Sequence, residues 1–310
     1  MIHPPDLPRR LHATLAARLP SAPPPEAWQP LTGGRSNLCW RLPGPGGEGA
    51  AADDLVLKLY RPDQGSALFP NDAGIEAATL AALRGQDLAP DLVDQWQDPL
   101  GPCLLYRHLP GPTWRQDPAA VARLLRRLHD LPPSRAPEAL RRVPDGPAAL
   151  RAAILAALPA QPAQDSAEQA SLRATLHRLP DPGPLPPARA VLLHGDPVPG
   201  NIVMTPGGAR LIDWQCPALG DPGHDLALFL SPAMMRIYRG QPLSEAERNA
   251  FLAAYGAPDT RARLTALAPL RHLWIAAYCL ARARTAAPQE AALDIAAARD
   301  ELAGFDPVSG

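Results

Sequence analysis

The spacing of apolar positions changes along the chain and separates a strand-rich part from a helix-rich part. The segments LCWRL (38–42) and LVLKLY (55–60) are short and apolar, and the glycine-rich stretch between them predicts a β-hairpin loop. A further buried strand is predicted over 103–109. Residues 7–19 carry a leucine at every fourth position, which predicts an amphipathic helix. The first third of the chain therefore predicts a small sheet with flanking helices.

A short helix is predicted between the second and third of these strands. Asn71 or Asp72 can cap its N terminus, and Gly85 can close its C-terminal end. Glu76 then lies in the first turns of this helix.

Beyond residue 110 the apolar spacing is mostly helical. Helices are predicted over 118–129, twice within 130–190, and over 222–231, 244–255 and 260–304. Asp165 with Glu168, and Ser244 with Glu247, have the spacing of capping boxes. We place a lobe boundary near Arg107. The pattern predicts an α+β fold with a small antiparallel sheet lobe (1–106) and a mainly helical lobe (107–310), which together form one domain.

Composition narrows the class of partner. The formal net charge of −1 gives no general attraction to nucleic acid or to anionic lipid, so we expect a small-molecule partner. The four cysteines are far apart and lack metal-site spacing, which predicts neither a disulfide framework nor a zinc site. No uninterrupted apolar run has the length of a membrane span, so we expect no membrane partner, and the scattered cysteines fit a reducing cytoplasm.

Lys58 is the only lysine in the chain, although lysine and arginine together number 30. Arginine can replace lysine at most surface sites, so the position that keeps lysine can be one that needs a compact ammonium group. Lys58 also lies in a predicted strand, ahead of the helix that carries Glu76. We therefore predict a functional role for Lys58.

The segment 194–214 holds the strongest chemical pattern. NIVM and RLIDW flank TPGGA, which predicts a hairpin centred near Gly207 and places Asn201 beside Asp213. A carboxylate and an amide oxygen, with water and phosphate oxygens, form a shell that Mg²⁺ prefers. Asp196 lies just before this hairpin in a tight loop, where its carboxylate is placed as a base. His194, Asp196 and Asn201 also match the H-x-D-x-x-x-x-N spacing of kinase catalytic loops.

Over nearly its whole length the chain resembles the aminoglycoside phosphotransferase and choline/thiamine kinase-like superfamily, which has a bilobal protein-kinase-like fold. The similar segments are LTGGRSNLCWRL, LVLKLY, YRHLPG, HGDPVPGNIV, LIDW and GDPGHDLALF. The resemblance implies that Lys58 contacts nucleotide phosphates and that Glu76 pairs with it. It implies a brace for the catalytic loop at Asp225, with Asp221 as a second candidate. It also implies phosphate contacts from a loop that contains Gly33, Gly34, Ser36 and Asn37.

The same resemblance implies ATP-dependent phosphoryl transfer to a small-molecule alcohol. Asp196 would act as the base, Asn201 and Asp213 would bind Mg²⁺, and His194 would support the loop by hydrogen bonding. Val198 stands where many members carry a second histidine, and this departure leaves the acceptor open.

Several functions are compatible with these residues. The acceptor can be choline, ethanolamine, thiamine or an amino sugar, and an aminoglycoside-modifying kinase is one alternative. The IDW and GG-x-S-N segments resemble the choline/thiamine branch slightly more. A metal-dependent phosphohydrolase would use the HGD and GHD segments for two metal ions but would leave Lys58 unexplained. A nucleotide-binding pseudokinase is the third alternative.

Overall fold

The computed structural model describes residues 4, 6–31, 36–44, 53–61, 65, 69–185 and 188–303. Within this part of the chain the helices are α1 (Leu7–Arg18), α2 (Ala73–Ala82), α3 (Pro118–His129), α4 (Gly146–Ala157), α5 (Ala167–Arg178), α6 (Gly223–Leu230), α7 (Pro232–Arg239), α8 (Glu245–Tyr255), α9 (Pro258–Ala283) and α10 (Pro288–Ala303). The strands are β1 (Gln29–Leu31), β2 (Leu38–Leu42), β3 (Leu55–Leu59), β4 (Leu92–Asp98), β5 (Gly101–Arg107), β6 (Val191–Leu193), β7 (Ile202–Thr205), β8 (Gly208–Leu211) and β9 (Ala218–Gly220).

The chain divides into two compact units. Among the described residues, the first unit comprises those up to Trp114 together with 134–140 and 200–217, and the second comprises 115–133, 141–199 and the remainder from 218. The β7–β8 hairpin therefore belongs to the first unit, whereas the sequence-based boundary near Arg107 assigned it to the C-terminal lobe. The reason is backbone pairing within the first unit, since Trp114 N–H donates to Ile202 O (2.8 Å) and Leu211 N–H donates to Leu88 O (2.8 Å).

The first unit contains a five-stranded sheet in the order β1-β2-β3-β5-β4, and every neighbouring pair is antiparallel. The two strands predicted around the glycine-rich segment are β2 and β3. The outer strands β1 and β4 were not predicted, because β1 has only three residues and β4 (LVDQWQD) contains four polar residues. The predicted leucine helix is α1, which buries Leu7, Leu11 and Leu15 in one apolar cluster with Trp28, just before β1, and Trp40 on β2.

The second unit is mainly helical, with β6 and β9 as a short antiparallel pair. Helix α3 begins as predicted, because the Asp117 side chain accepts the Ala120 N–H (3.0 Å). At α5 the predicted cap is wrong by one residue. Ser166 with Gln169 forms the capping box, and Asp165 instead accepts two hydrogen bonds from Arg173. Both residue types can cap a helix, so their order alone did not decide between them.

The C-terminal helices differ from prediction at two places. The helix predicted over 260–304 is two helices, α9 and α10, because Pro288 has no N–H to continue a helix and begins a new one instead. Helix α7 was not predicted, and Ser231 caps it by accepting the Met234 N–H. Helix α9 is long and apolar enough for a bilayer by length and composition, but 56% of its apolar window is buried inside the protein. This burial is typical of a core helix.

Candidate active site

Lys58 lies at the centre of the sheet in the first unit. It is directly opposite Cys39 on β2 and Leu104 on β5, and its side chain is almost completely buried. A buried ammonium group is costly unless it is paired and hydrogen-bonded. The position of Lys58 therefore requires acidic partners within the first unit.

Two carboxylates meet the Lys58 ammonium. Its Nζ lies 2.6 Å from Glu76 Oε2 and 2.5 Å from Asp213 Oδ1. The pair of Lys58 with Glu76 that the sequence predicted is therefore present. Although burial alone would lower the pKa of Lys58, Asp213 and Glu76 raise it well above its ordinary value. Lys58 is thus held as a cation.

Glu76 reaches Lys58 because α2 begins where the sequence predicts. The Asp72 side chain accepts the Ile75 N–H (3.0 Å) and caps the helix, so that Glu76 falls in the first turn. Burial raises the pKa of Glu76 above its ordinary value, and the neighbouring Lys58 ammonium opposes this effect. The helix cap therefore determines where this buried acid meets the sheet.

The predicted hairpin is β7–β8, but its register differs by one residue from the expected one. Ile202 is opposite Leu211, and Ile212 N–H donates to Asn201 O (2.9 Å). Asn201 is therefore opposite Ile212, and Asp213 lies one position beyond this pair instead of opposite Asn201. The error arose because the turn centre lies between Pro206 and Gly207 rather than on Gly207.

Asp213 is held in an uncommon backbone conformation. Its φ is 64°, in the left-handed region that few residues other than glycine adopt. The following Trp214 is fully buried and its indole N–H donates to Leu211 O (3.0 Å). Gln215 accepts a hydrogen bond from Asn37 (2.8 Å). These two anchors fix the segment on both sides of the carboxylate that meets Lys58.

The predicted phosphate-contacting loop is described only in part. Gly33 and Gly34 lie outside the described residues. Ser36 is partly buried, and its phosphate contact stays a prediction. Asn37 is buried, and its carboxamide donates to Asn71 and Gln215 and accepts from Asn71 and from the Arg61 N–H. The carboxamide nitrogen and oxygen of Asn37 are thus both hydrogen-bonded, and they connect the start of β2 to Asn71, just before α2, and to Gln215, after Asp213. The predicted phosphate contact of Asn37 also stays a prediction.

The predicted catalytic loop follows β6 in the second unit. Asp225 Oδ2 accepts the His194 N–H (2.8 Å) and Oδ1 accepts the Gly195 N–H (2.9 Å). Gly195 has a φ of 82°, a conformation that glycine adopts at little cost. The Asp196 N–H donates to His194 Nδ1 (3.2 Å), and the supporting role of His194 stays a prediction. Asp225 therefore contacts the start of the predicted catalytic loop. Its role as a brace and the role of Asp196 stay predictions.

The brace has two members that sequence reasoning missed. His129 Nε2 lies 3.1 Å from Asp225 Oδ2, and its Nδ1 lies 2.9 Å from the Tyr255 hydroxyl. His129 ends α3, and its partners Asp225 and Tyr255 lie on α6 and α8, which are distant in the sequence. Although burial of Asp225 would raise its pKa, the hydrogen bond and charge of His129 contribute to a net decrease. Asp225 thus remains ionised.

Asp221, the second candidate for the brace, has a different role. Its carboxylate accepts hydrogen bonds from Arg263 (3.2 Å), Arg271 (2.6 Å) and the Gly223 N–H (2.9 Å). Burial would raise the pKa of Asp221, but these groups hold it below its ordinary value. Asp221 therefore joins α6 to α9, and it does not contact the catalytic loop among the described residues.

The two-metal alternative has no support in the geometry. Among the described residues, no group of three or more His, Cys, Asp or Glu side chains is arranged to hold a metal ion. His224 of the GHD segment packs on Trp274 with ring centroids 5.0 Å apart, and burial lowers its pKa to about 4.

Val198, which stands where many members of the resembled family carry a second histidine, is buried, and its N–H donates to Asp196 O (2.9 Å).

The order of these residues along the fold agrees with a known enzyme family. The model of the phosphotransferase enzyme family named APH matches residues 27–267. The chain belongs to this family. The predicted α+β kinase-like fold and the predicted class of enzyme, a small-molecule kinase, are thereby confirmed.

Solved structures share the fold at low sequence identity. A choline/ethanolamine kinase family protein from Mesorhizobium loti is 19% identical, with 94% of this chain and 95% of that chain covered and a TM-score of 0.59. Aminoglycoside 2'-phosphotransferase-IIIa, in its GDP complex, is 17% identical, with 96% of this chain and 99% of that chain covered and a TM-score of 0.66. Macrolide 2'-phosphotransferase from Brachybacterium faecium is 23% identical over 96% and 98%, with a TM-score of 0.57. No curated protein sequence matches the chain significantly.

Proposed function

We propose that this kinase transfers the γ-phosphate of ATP, with Mg²⁺, to a hydroxyl group of a small molecule. The observation that carries the proposal is the position of the Lys58 ammonium between Glu76 and Asp213. These three residues come from a strand, a helix and the end of a hairpin, in the order typical of kinase phosphate sites. A buried cation of this kind has a clear use in binding phosphate.

The charges of this cluster favour Mg²⁺ and a nucleotide together. One ammonium between two carboxylates leaves a net charge of −1. The Asp213 side chain is 29% exposed, and only its Oδ1 bonds to a described residue, namely Lys58. The other oxygen of Asp213 and the amide oxygen of Asn201 are hard oxygen donors of the kind that Mg²⁺ binds. The donor chemistry therefore fits Mg²⁺, which when bound would neutralise charge on the phosphates.

Lys58 would donate its remaining N–H to the α- and β-phosphates, while Glu76 keeps the ammonium oriented. The nucleotide complexes of aminoglycoside 2'-phosphotransferase-IIIa contain GDP, so a nucleoside triphosphate suits the fold. We propose ATP as the donor, and the use of GTP in its place is a measurable outcome.

Asp196 would accept the proton of the acceptor hydroxyl. The hydroxyl oxygen then forms a bond to the γ-phosphorus as the bond from that phosphorus to the β-phosphate oxygen breaks, and ADP leaves. Asp225 supports this step because its carboxylate accepts the backbone N–H groups of His194 and Gly195, which immediately precede Asp196. Positioning and electrostatic stabilisation would supply most of the rate enhancement.

The acceptor class is an alcohol of the choline, ethanolamine or thiamine kind, or an amino sugar. The named neighbours include a choline/ethanolamine kinase family protein and aminoglycoside and macrolide phosphotransferases. An intracellular nucleotide donor and four free cysteines fit a cytoplasmic enzyme.

Incubation with ATP, Mg²⁺ and a panel of these alcohols tests the proposal. We expect ADP to form only when an acceptor is present, and Asp196→Asn to lower kcat by about 100-fold or more. Asp130→Asn, an exposed change in an ion pair with Arg126, serves as the matched control. Phosphate release from monoesters in the absence of ATP would instead favour a phosphohydrolase. Nucleotide binding without turnover for any acceptor would favour a pseudokinase.

A further inference from the structure

Tyr60 lies one position beyond β3, on the same face of the strand as Lys58. Residues two apart in a strand point to the same side, and the Tyr60 N–H continues the strand pairing by donating to Pro102 O (2.8 Å). The Tyr60 side chain is almost completely buried. Its position beside Lys58 is therefore a direct result of strand geometry.

The Tyr60 side chain makes two contacts with the Lys58 site. Its hydroxyl donates to Glu76 Oε2, the same oxygen that lies 2.6 Å from Lys58 Nζ. Its ring centroid lies 4.8 Å from Lys58 Nζ, which is within the range of a cation–π interaction. Tyr60 thus touches both members of the buried ion pair.

These contacts restrict the pair in complementary ways. Two donors on one Glu76 oxygen limit the rotation of the carboxylate, and the ring covers one side of the ammonium. Among the described residues, Glu76 and Asp213 accept two of the three N–H groups of Lys58, which leaves one to donate. Its direction then depends on where Tyr60 and Glu76 hold the ammonium.

We propose that Tyr60 is a positioning residue that orients Lys58, through Glu76, for contact with the nucleotide phosphates. This role rests on the proposed phosphoryl transfer from ATP. Packing at the end of β3 needs only the aromatic ring. The hydroxyl adds a second donor to the Glu76 oxygen that contacts Lys58, and this donor helps to fix the orientation of Glu76. A buried tyrosine hydroxyl also needs a hydrogen-bond partner, and Glu76 provides it.

The surrounding groups keep the hydroxyl protonated and able to donate. The titratable groups that face this site, besides Glu76 and Lys58, are Cys39 on β2, Tyr106 on β5 and Asp213 after β8. Burial and the nearby Glu76 carboxylate raise the pKa of Tyr60 well above its ordinary value. Tyr60 is therefore a hydrogen-bond donor throughout the neutral range.

A double-mutant cycle separates positioning from packing. Tyr60→Phe keeps the ring and removes the donor, and we expect kcat/KM for ATP to fall about tenfold, mainly through a higher KM for ATP. The KM for the acceptor should stay unchanged. In the Glu76→Ala background, where the acceptor of this hydrogen bond is absent, Tyr60→Phe should change kcat/KM by less than about twofold.

The single lysine offers a readout that does not depend on turnover. Protein labelled with ¹³C at lysine Cε gives one lysine Cε NMR signal, because Lys58 is the only lysine in the sequence. We expect Tyr60→Phe to change the chemical shift of this signal. The control Tyr255→Phe also removes a buried hydroxyl group and should leave the chemical shift unchanged.

The outcomes distinguish the two claims. An unchanged Lys58 signal together with an unchanged KM for ATP would overturn the positioning role. Equal losses from Tyr60→Phe in both backgrounds would also overturn it, because the effect would then be independent of Glu76. Failure of the wild-type protein to form ADP with any acceptor would overturn the proposed function itself.

Discussion

Two buried carboxylate clusters, one in each compact unit, use their charges differently. In the first unit Lys58 lies between Glu76 and Asp213, so one cation serves two anions. In the second unit Asp225 receives N–H groups of His194 and Gly195 and a ring nitrogen of His129. The first cluster joins side chains to one another, and the second joins a side chain to the backbone of a loop.

The difference supports the proposal that the first cluster binds a ligand and that the second has a structural role. Asp213 is 29% exposed, whereas Asp225 is completely buried. A partly exposed cluster with surplus negative charge can gain stabilisation from a bound cation, while a carboxylate surrounded by its own donors gains nothing from one. Changes in the first cluster should therefore affect ligand binding and rate, and changes in the second should mainly affect stability.

The largest expected effect is on activity in the first cluster. Lys58→Met removes the cation that would meet the phosphates, and we expect kcat/KM to fall by about 100-fold or more. Lys58→Arg should not restore it, because a planar guanidinium does not fit the buried space of an ammonium. Steady-state kinetics with ATP as the varied substrate provides the measurement.

Arg9→Met is the matched control for Lys58→Met. Arg9 lies 3.3 Å from Glu26 in an exposed ion pair of the same unit, so its loss should leave kcat/KM nearly unchanged. Equal activity of the Lys58→Met and Arg9→Met proteins would contradict a role for Lys58 in phosphate binding.

In the second cluster the main effect should be on the free energy of unfolding. Asp225→Ala leaves the buried N–H groups of His194 and Gly195 without their acceptor, and we expect a loss of about 4 kcal/mol. Urea denaturation measures it, with the exposed change Asp130→Ala as the control. If Asp225→Ala retained full stability but lost activity, the distinction between the clusters would not hold.

His224, beside Asp225 on α6, makes the second unit sensitive to acid. Burial lowers its pKa to about 4, whereas a histidine in the unfolded chain titrates near 6.5. Between these values only the unfolded state takes up the proton, so stability falls as pH decreases, by up to about 3 kcal/mol. Urea denaturation between pH 7 and pH 4 should show a smaller decrease for His224→Gln than for wild type or the exposed His177→Gln. A decrease equal to that of wild type would refute this prediction.

The smallest expected effect comes from the outer member of the brace. Tyr255→Phe removes one hydrogen bond to His129 and should lower the free energy of unfolding by about 1 kcal/mol. Thermal denaturation measures it. A loss as large as that of Asp225→Ala would show that the hydroxyl, rather than the carboxylate, holds the brace.

Local sequence patterns predicted much of both clusters. Asp72 and Glu76 could be placed because a helix cap sets the position of the first turn. Lys58 could be singled out because it is the only lysine in the sequence, and the resemblance to known kinases pointed to its contact with Glu76 and to Asp225. The α+β fold and the existence of the 202–211 hairpin followed from apolar spacing and turn residues.

Other features depend on the register of pairing or on contacts distant in sequence. The turn centre lies half a residue before the predicted position at Gly207, so Asp213 is not opposite Asn201. Tyr60 and His129 gained their roles from partners 16 and 96 residues away, Glu76 and Asp225, which no local pattern contains. Ser166 replaced Asp165 as a cap because Asp165 pairs with Arg173.

Calorimetric titration of ATP into the wild-type and Asp213→Asn proteins, each with and without Mg²⁺, tests the central claim most directly. We expect Mg²⁺ to tighten ATP binding to the wild type by about tenfold or more, which corresponds to about 1.4 kcal/mol. Asp213→Asn should lose this gain and keep the affinity measured without Mg²⁺. Equal tightening by Mg²⁺ in both proteins would contradict the assignment of the Lys58, Glu76 and Asp213 cluster as the site for ATP and Mg²⁺.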